Sequence, residues 1–275
     1  GRIGSGMFNI DAPICVGNIQ TLYRRMDVLK KEFGTLILDE MHHVSSPTFT
    51  RIIDEMPCRY KIGLTGTLER KDGRHVVFRD YFGNNVIKPP KENYLVPKID
   101  ILKTEIRFLD GAYIPWAERI NHLTMDAEYV HGVSATAARY AALGHKVLVV
   151  SDRVHFLKSC AKLCGDKAVS ITGDMDFAER ERTMQMIKDN KNILFGTQAI
   201  FSEGISLNEL SCLILATPVN NEPLLTQLIG RVIRKIDGKK QPVVVDFHLK
   251  GKTAARQANA RMGYYMKQGY EVNVL

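Results

Sequence analysis

At 275 residues with 45% hydrophobic content the chain can bury a sizeable core, and ordinary domain sizes make two compact units the expected organisation. Its 38 Lys plus Arg against 30 Asp plus Glu leave a formal charge of +8, which suits an anionic partner such as a nucleic-acid backbone and suits simple solubility equally well. Five scattered cysteines in no CxxC pair fit a reducing compartment better than a disulfide framework, and with no apolar run of about 18 residues and no signal-peptide pattern the expectation is a soluble cytoplasmic protein.

The chain opens on Gly1 rather than Met, so it reads as a piece of something longer. Short apolar runs rich in branched residues then recur with helical patterns between them, the pattern of parallel strands covered on both faces. These runs are Thr35 to Leu38, Lys61 to Leu64, Lys146 to Val150, Ala168 to Ile171, Asn192 to Phe195, Cys212 to Leu215 and Pro242 to Val245. The class is therefore α/β. From Asn84 to Trp116 four prolines and weak periodicity predict a linker holding one strand, Ile99 to Phe108, so the boundary is placed to give domains 1–94 and 95–275.

Helices are predicted over Val154 to Cys164, stopped by Gly165, and over Phe177 to Lys188, where Asp176 and Glu179 stand at capping-box spacing. Cys160 and Cys164 lie one helical turn apart, which reads as packing rather than a metal site. A third helix runs from Pro223 to Lys235 with proline at its first position. The stretch from Thr253 to Tyr270 predicts a basic helix carrying Arg256, Arg261 and Lys267 with Tyr264 and Tyr265.

The most informative segment is Leu36-Ile37-Leu38-Asp39-Glu40-Met41-His42-His43, a strand ending in two acids and two imidazoles. Ligands of parallel sheets bind beyond the carboxyl ends of strands. There Asp39 can hold Mg²⁺ through its water shell while Glu40 orients or deprotonates an attacking water. A helix cap and a solvated loop is the plainer alternative. Further on, Thr65, Gly66 and Thr67 end the next strand in small hydroxyl residues able to bond the acidic loop and relay its state.

Gly196-Thr197-Gln198, running on to Glu203-Gly204-Ile205-Ser206, is another strand end able to offer a hydroxyl and backbone N–H groups to a phosphodiester. Gln227, Arg231 and Arg234 are spaced to share one helical face, with Gly230 permitting close backbone approach. Two guanidiniums and an amide on one face suit a nucleotide γ-phosphate, with surface salt bridging as the plainer alternative.

In this order the segments resemble the motor core of the superfamily 2 DExH helicases: Asp39 to His42 resembles motif II, Gly63 to Thr67 motif III, Lys146 to Ser151 motif IV, Gly196 to Ser206 motif V and Gln227 to Arg234 motif VI. Val16 to Leu22 resembles the motif preceding the acidic box, with Asn18 where threonine is commoner. Phe82-Gly83 with Lys88-Pro89, Phe201 to Ser206 and Gly230 to Lys235 are most similar to the UvsW-type helicases of phage recombination and repair.

The resemblance implies two RecA-like parallel-sheet lobes, the first incomplete at its N-terminus, with ATP and Mg²⁺ as cofactors and branched or duplex DNA as partner, and a monomer is expected. It implies nucleic-acid contacts at Gln20, Thr21, Thr197 and Gln198, and coupling through Thr65, Gly66 and Thr67. Catalysis would fall to Asp39, Glu40, His42, Gln227, Arg231 and Arg234, with Gly204 also against the nucleotide. Ser206 stands where many relatives carry aspartate, which puts a ribose contact there in doubt.

Such motors need G-x-x-x-x-G-K-[ST] upstream of the acidic box to hold the phosphates, and nothing before Asp39 fits. Gly251-Lys252-Thr253 fails because Asp246 occupies the first glycine position. The expectation is a chain that carries the acids and arginines without the cradle and hydrolyses ATP poorly alone. A non-catalytic nucleic-acid-binding module and the motor segment of a restriction enzyme are the other readings.

Overall fold

The structure, a computed structural model, describes residues 1–41, 46–66, 76–88, 90–202 and 207–275. It divides into two compact units, Gly1–Lys88 and Pro89–Leu275. The division falls ahead of residue 95 because residues 93–95 pair within the second unit. Tyr94 forms an antiparallel bridge with Arg234, Leu95 N–H donates to the Ile233 carbonyl at 2.8 Å and Lys235 N–H to that of Asn93 at 3.0 Å.

In the first unit β1 (Arg2–Gly4) pairs antiparallel with β2 (Met7–Phe8) and parallel with β3 (Val16–Gly17). Helix α1 (Ile19–Arg24) starts where the Asn18 side chain accepts the Gln20 N–H, and α2 (Met26–Leu29) follows. A small parallel sheet joins β4 (Thr35–Leu38) to β5 (Tyr60–Gly63), in register from Thr35 with Tyr60 to Leu38 with Gly63. Helix α3 (Pro47–Glu55) lies between these strands in the chain, and α4 (Val76–Phe82) follows. Leu36, Leu38, Met41, Ile52, Ile53, Met56, Cys58 and Phe78 form the core of this unit. The other face of the pair leaves Ile37, Tyr60 and Ile62 exposed, so the run ahead of Asp39 is buried on one side only.

The second unit is built on a seven-stranded, wholly parallel sheet. In chain order its elements are β6 (Lys98–Arg107), α5 (Trp116–Met125), α6 (Ala127–Ala142), β7 (Val147–Ser151), α7 (Val154–Cys164), β8 (Ala168–Ile171), α8 (Phe177–Asp189), β9 (Ile193–Thr197), α9 (Gln198–Ser202), β10 (Cys212–Leu215), α10 (Glu222–Val232), β11 (Val243–Lys250), α11 (Lys252–Lys267) and β12 (Glu271–Val274). The sheet order is β12-β6-β11-β10-β7-β9-β8. Val147 and Val149 enter a core with Ile120, Tyr129, Val133 and Phe156 from α5 to α7. Leu148 and Val150 enter the opposite core with Ile187, Leu228 and Tyr265 from α8, α10 and α11. Burial on both faces is why these strands read as unbroken apolar runs.

Three expectations are corrected. Residues 98–107 are an interior strand between β12 and β11 rather than part of a linker, since Ile99 and Ile101 are fully buried there. Helix α10 ends at Val232, short of Lys235, because the bridge to Tyr94 draws Arg234 into extended pairing. Arg261 does not sit on a solvated basic face: only 4% exposed, its Nε and Nη2 donate to the two carboxylate oxygens of Asp246, each at 2.8 Å, and Tyr265 Oη donates to the same carboxylate at 3.0 Å. The capping box of α8 forms as its spacing predicts, with the Asp176 carboxylate accepting Glu179 N–H and Glu179 answering to the Asp176 N–H.

Candidate nucleotide and nucleic-acid sites

In the first unit Asp39 and Glu40 leave the carboxyl end of β4 in a tight turn. Glu40 adopts φ +50°, a left-handed conformation costing about 1–2 kcal/mol for a residue with a side chain, and its N–H donates to Asp39 Oδ1 at 2.9 Å. The turn is pinned on both sides to the end of β5: Leu64 N–H donates to the Leu38 carbonyl at 2.8 Å and Met41 N–H to that of Leu64 at 2.9 Å. Met41 is buried, and its Sδ lies 2.1 Å from where a Cβ on Gly63 would stand. A side chain at position 63 would displace Met41, a fit invisible in the sequence. Thr65 and Gly66 follow directly beyond this backbone pairing, which joins the acidic turn to them.

Asp39 is exposed, and one of its carboxylate oxygens is occupied by the Glu40 amide. Among the described residues no group of three or more His, Cys, Asp or Glu is set to hold a metal. One exposed carboxylate at a strand end fits Mg²⁺ held through water and by substrate phosphates. Gln20 is exposed and Thr21 half-buried on α1, whose Tyr23 ring lies under the Arg51 guanidinium of α3 at 4.6 Å. His42, Thr67, Gly204 and Ser206 lie outside the described residues.

In the second unit Thr197 ends β9 opposite Ser151 at the end of β7. Gln198 opens α9, and its Nε2 donates to Thr217 Oγ1 at 3.1 Å, which donates in turn to Ser151 Oγ at 3.4 Å. Ser151 and Thr217 are buried, so this chain links the carboxyl ends of β9, β10 and β7 from within. The Gln198 amide turns inward, leaving Thr197 half-exposed beside it. A Cβ on Gly196 would likewise stand 2.1 Å from the buried Phe201 ring.

Gln227 and Arg231 are half-buried on α10, and Arg231 Nε donates to the Phe201 carbonyl at 2.7 Å, tying α10 to the end of α9. Arg234 is not on their helical face: it lies past the helix end, with Nη1 3.4 Å from Asn208 Oδ1. Among the described residues no atom comes within 4 Å of a Cβ placed on Gly230. Sequence reasoning missed Thr217 and the packing of Met41 against Gly63, since these partners are remote in the chain.

Two family profiles match, one in each unit: "Type III restriction enzyme, res subunit" over residues 3–70 and "Helicase conserved C-terminal domain" over residues 134–235. "Probable helicase D10" of Escherichia phage T5 is 43% identical over 275 residues, covering 98% of this chain and 61% of that protein. The chain carries a superfamily 2 helicase core. "ATP-dependent DNA helicase uvsW" of Enterobacteria phage T4 is 24% identical over 98% of this chain and 59% of its own length. The crystal structure of T4 UvsW shares the fold, with a TM-score of 0.53 and 24% identity over 99% of this chain and 60% of that one. The helicase core described here thus spans about three fifths of the length of these phage relatives. Among the described residues no helix is long and apolar enough to cross a membrane.

Proposed function

We propose that the protein is an ATP-dependent DNA helicase or translocase acting on branched or duplex DNA, in recombination, repair or replication, within the cytoplasm. The observation that carries this reading is the Asp39–Glu40 pair held at a strand's carboxyl end by backbone bonds on both sides of the turn. Asp39 would hold Mg²⁺ through water, and the ion would supply positive charge against the phosphates. Glu40 orients the attacking water and takes its proton. Gln227, Arg231 and Arg234 stabilise charge on the transferring phosphoryl group. Anchoring of Arg231 Nε on the Phe201 carbonyl supports this role, because it fixes the plane of the guanidinium.

Thr197 contacts the phosphodiester backbone, and Gln198 serves it by holding the strand ends together through Thr217. Thr65 and Gly66 pass the state of the acidic turn onward through the backbone pairing of Met41 with Leu64. The sequence holds no G-x-x-x-x-G-K-[ST] ahead of Asp39, so turnover requires that such a phosphate cradle be supplied to these 275 residues. DNA rather than RNA follows the named activity of the T4 relative. The restriction-enzyme reading draws on the profile over residues 3–70, and the phage helicase match over 98% of the chain favours the helicase.

The test is ATP hydrolysis with and without branched DNA, for these residues alone and for a form that includes a phosphate-binding loop. Stimulation by DNA in the second form only is expected. Hydrolysis by neither form, with DNA still bound, would replace the motor by a non-catalytic binding module.

A further inference from the structure

The segment that carries Arg234 leaves α10 and reverses in a tight turn, where Gly238 takes φ +73° and Lys239 N–H donates to the Ile236 carbonyl at 3.3 Å. The turn brings the Lys239 ammonium back onto the segment it has just left. Nζ donates to the Arg234 carbonyl and to the Asn208 carbonyl, both at 2.8 Å. Asn208 belongs to the turn that precedes β10, and its side chain receives Arg234 Nη1 at 3.4 Å. Backbone and side chain of Arg234 are thereby both referred to Asn208, and Lys239 closes the loop between them. The neighbouring Lys240 points elsewhere, donating to the Leu143 carbonyl.

We propose that Lys239 is a positioning residue for Arg234, its ammonium clasping the Arg234 backbone to that of Asn208 and so setting where the guanidinium reaches. The proposal rests on the reading that Arg234 serves the nucleotide. Ammonium donors to carbonyl oxygens are shorter and stronger than neutral ones, so the clasp depends on the charge.

That charge is poised to titrate. Burial lowers the Lys239 ammonium to about 8, with Glu209 from the Asn208 turn opposing and the Arg234 guanidinium assisting. The unfolded chain keeps the proton up to the ordinary lysine value of about 10.4, so between these values the unfolded state binds more protons and rising pH adds stability through this group. Turnover and stability therefore move in opposite directions as pH rises through 8, which separates a clasp from a merely structural contact.

The experiment, in the form that includes the phosphate-binding loop, compares the unaltered protein with Lys239→Arg and Lys239→Met for DNA-stimulated kcat between pH 6.5 and 9.5, and follows the ¹³C carbonyl resonances of Asn208 and Arg234 over the same range. For the unaltered protein kcat is expected to fall by about fivefold with a midpoint near pH 8 while resistance to urea does not fall. Lys239→Arg holds its kcat across that limb, and Lys239→Met shows the low value at every pH. The two carbonyl resonances shift with the same midpoint and lose that shift in Lys239→Arg. Lys239→Met with unaltered kcat and an unaltered alkaline limb, or carbonyls that do not titrate, would overturn the clasp. Full turnover in Arg234→Ala would instead overturn the reading of Arg234 on which it rests.

Discussion

Met41 occupies the space that any side chain on Gly63 would need, its Sδ standing 2.1 Å from the Cβ position, and Phe82 Cδ2 lies 3.2 Å from the same position. The acidic turn and the end of β5 are therefore fitted to each other through one missing side chain. Gly63→Ala is expected to cost about 1–3 kcal/mol by overpacking and to lower ATP turnover beyond what the lost stability explains, since Met41 must leave the position that seats Glu40. Urea denaturation alongside kcat measures both, and an alanine variant with full stability and turnover would show that Met41 yields freely.

Asp246 and Arg261 form a buried pair whose members cannot be removed singly. Arg261→Met leaves an uncompensated carboxylate and is expected to cost about 3–5 kcal/mol, whereas Asp246→Leu with Arg261→Met recovers most of the loss. A double-mutant cycle in urea checks this; additive losses would mean that the pair is not coupled.

Thr217→Val would cut the chain from Gln198 to Ser151 at its centre. Leaving the buried Ser151 hydroxyl and the half-buried Gln198 amide short of a partner costs about 1–3 kcal/mol, and DNA affinity is expected to drop because Thr197 loses its fixed neighbour. Thr217→Ser should restore affinity. Fluorescence anisotropy with a DNA duplex, repeated across a salt series, separates this loss from the general electrostatic term.

Burial lowers the imidazoles of His145 and His248 below their ordinary 6.5. Unfolding lets them take up protons near pH 6.5, so their contribution to stability is complete above that value and declines as pH falls through it. Urea midpoints from pH 8 to 5 should show this decline, and His145→Asn should flatten part of it. A variant declining as steeply as the parent would assign the effect to carboxylates instead.

Much of the fold was legible: Cys212–Leu215, buried on both faces, is a strand over the residues its unbroken apolar run marks, and Thr35–Leu38 and Ala168–Ile171, less fully buried, are strands over the residues their branched composition marks. The acid pair at a strand end could also be read directly, since two carboxylates after Leu38 have no packing purpose. What could not be read depends on partners far along the chain. Arg261 looks like surface charge until Asp246 is placed beneath it, and the helix through Gln227 looks continuous to Lys235 until Tyr94 pairs with Arg234. The N–H and carbonyl groups that Lys239, Met41 and Leu64 engage leave no trace in residue type. Helix α6 was legible and overlooked: Tyr129, Val133, Ala137 and Tyr140 recur at helical spacing and are all buried.

Hydrolysis by Glu40→Gln tests the central claim most directly, measured as DNA-stimulated ATP turnover together with binding of a fluorescent nucleotide in a form that includes the phosphate-binding loop. With Glu40 activating the attacking water, turnover falls by about 10²–10⁴-fold while nucleotide binding is retained. Turnover equal to that of the unaltered protein would contradict the assignment of the acidic turn as the hydrolytic centre.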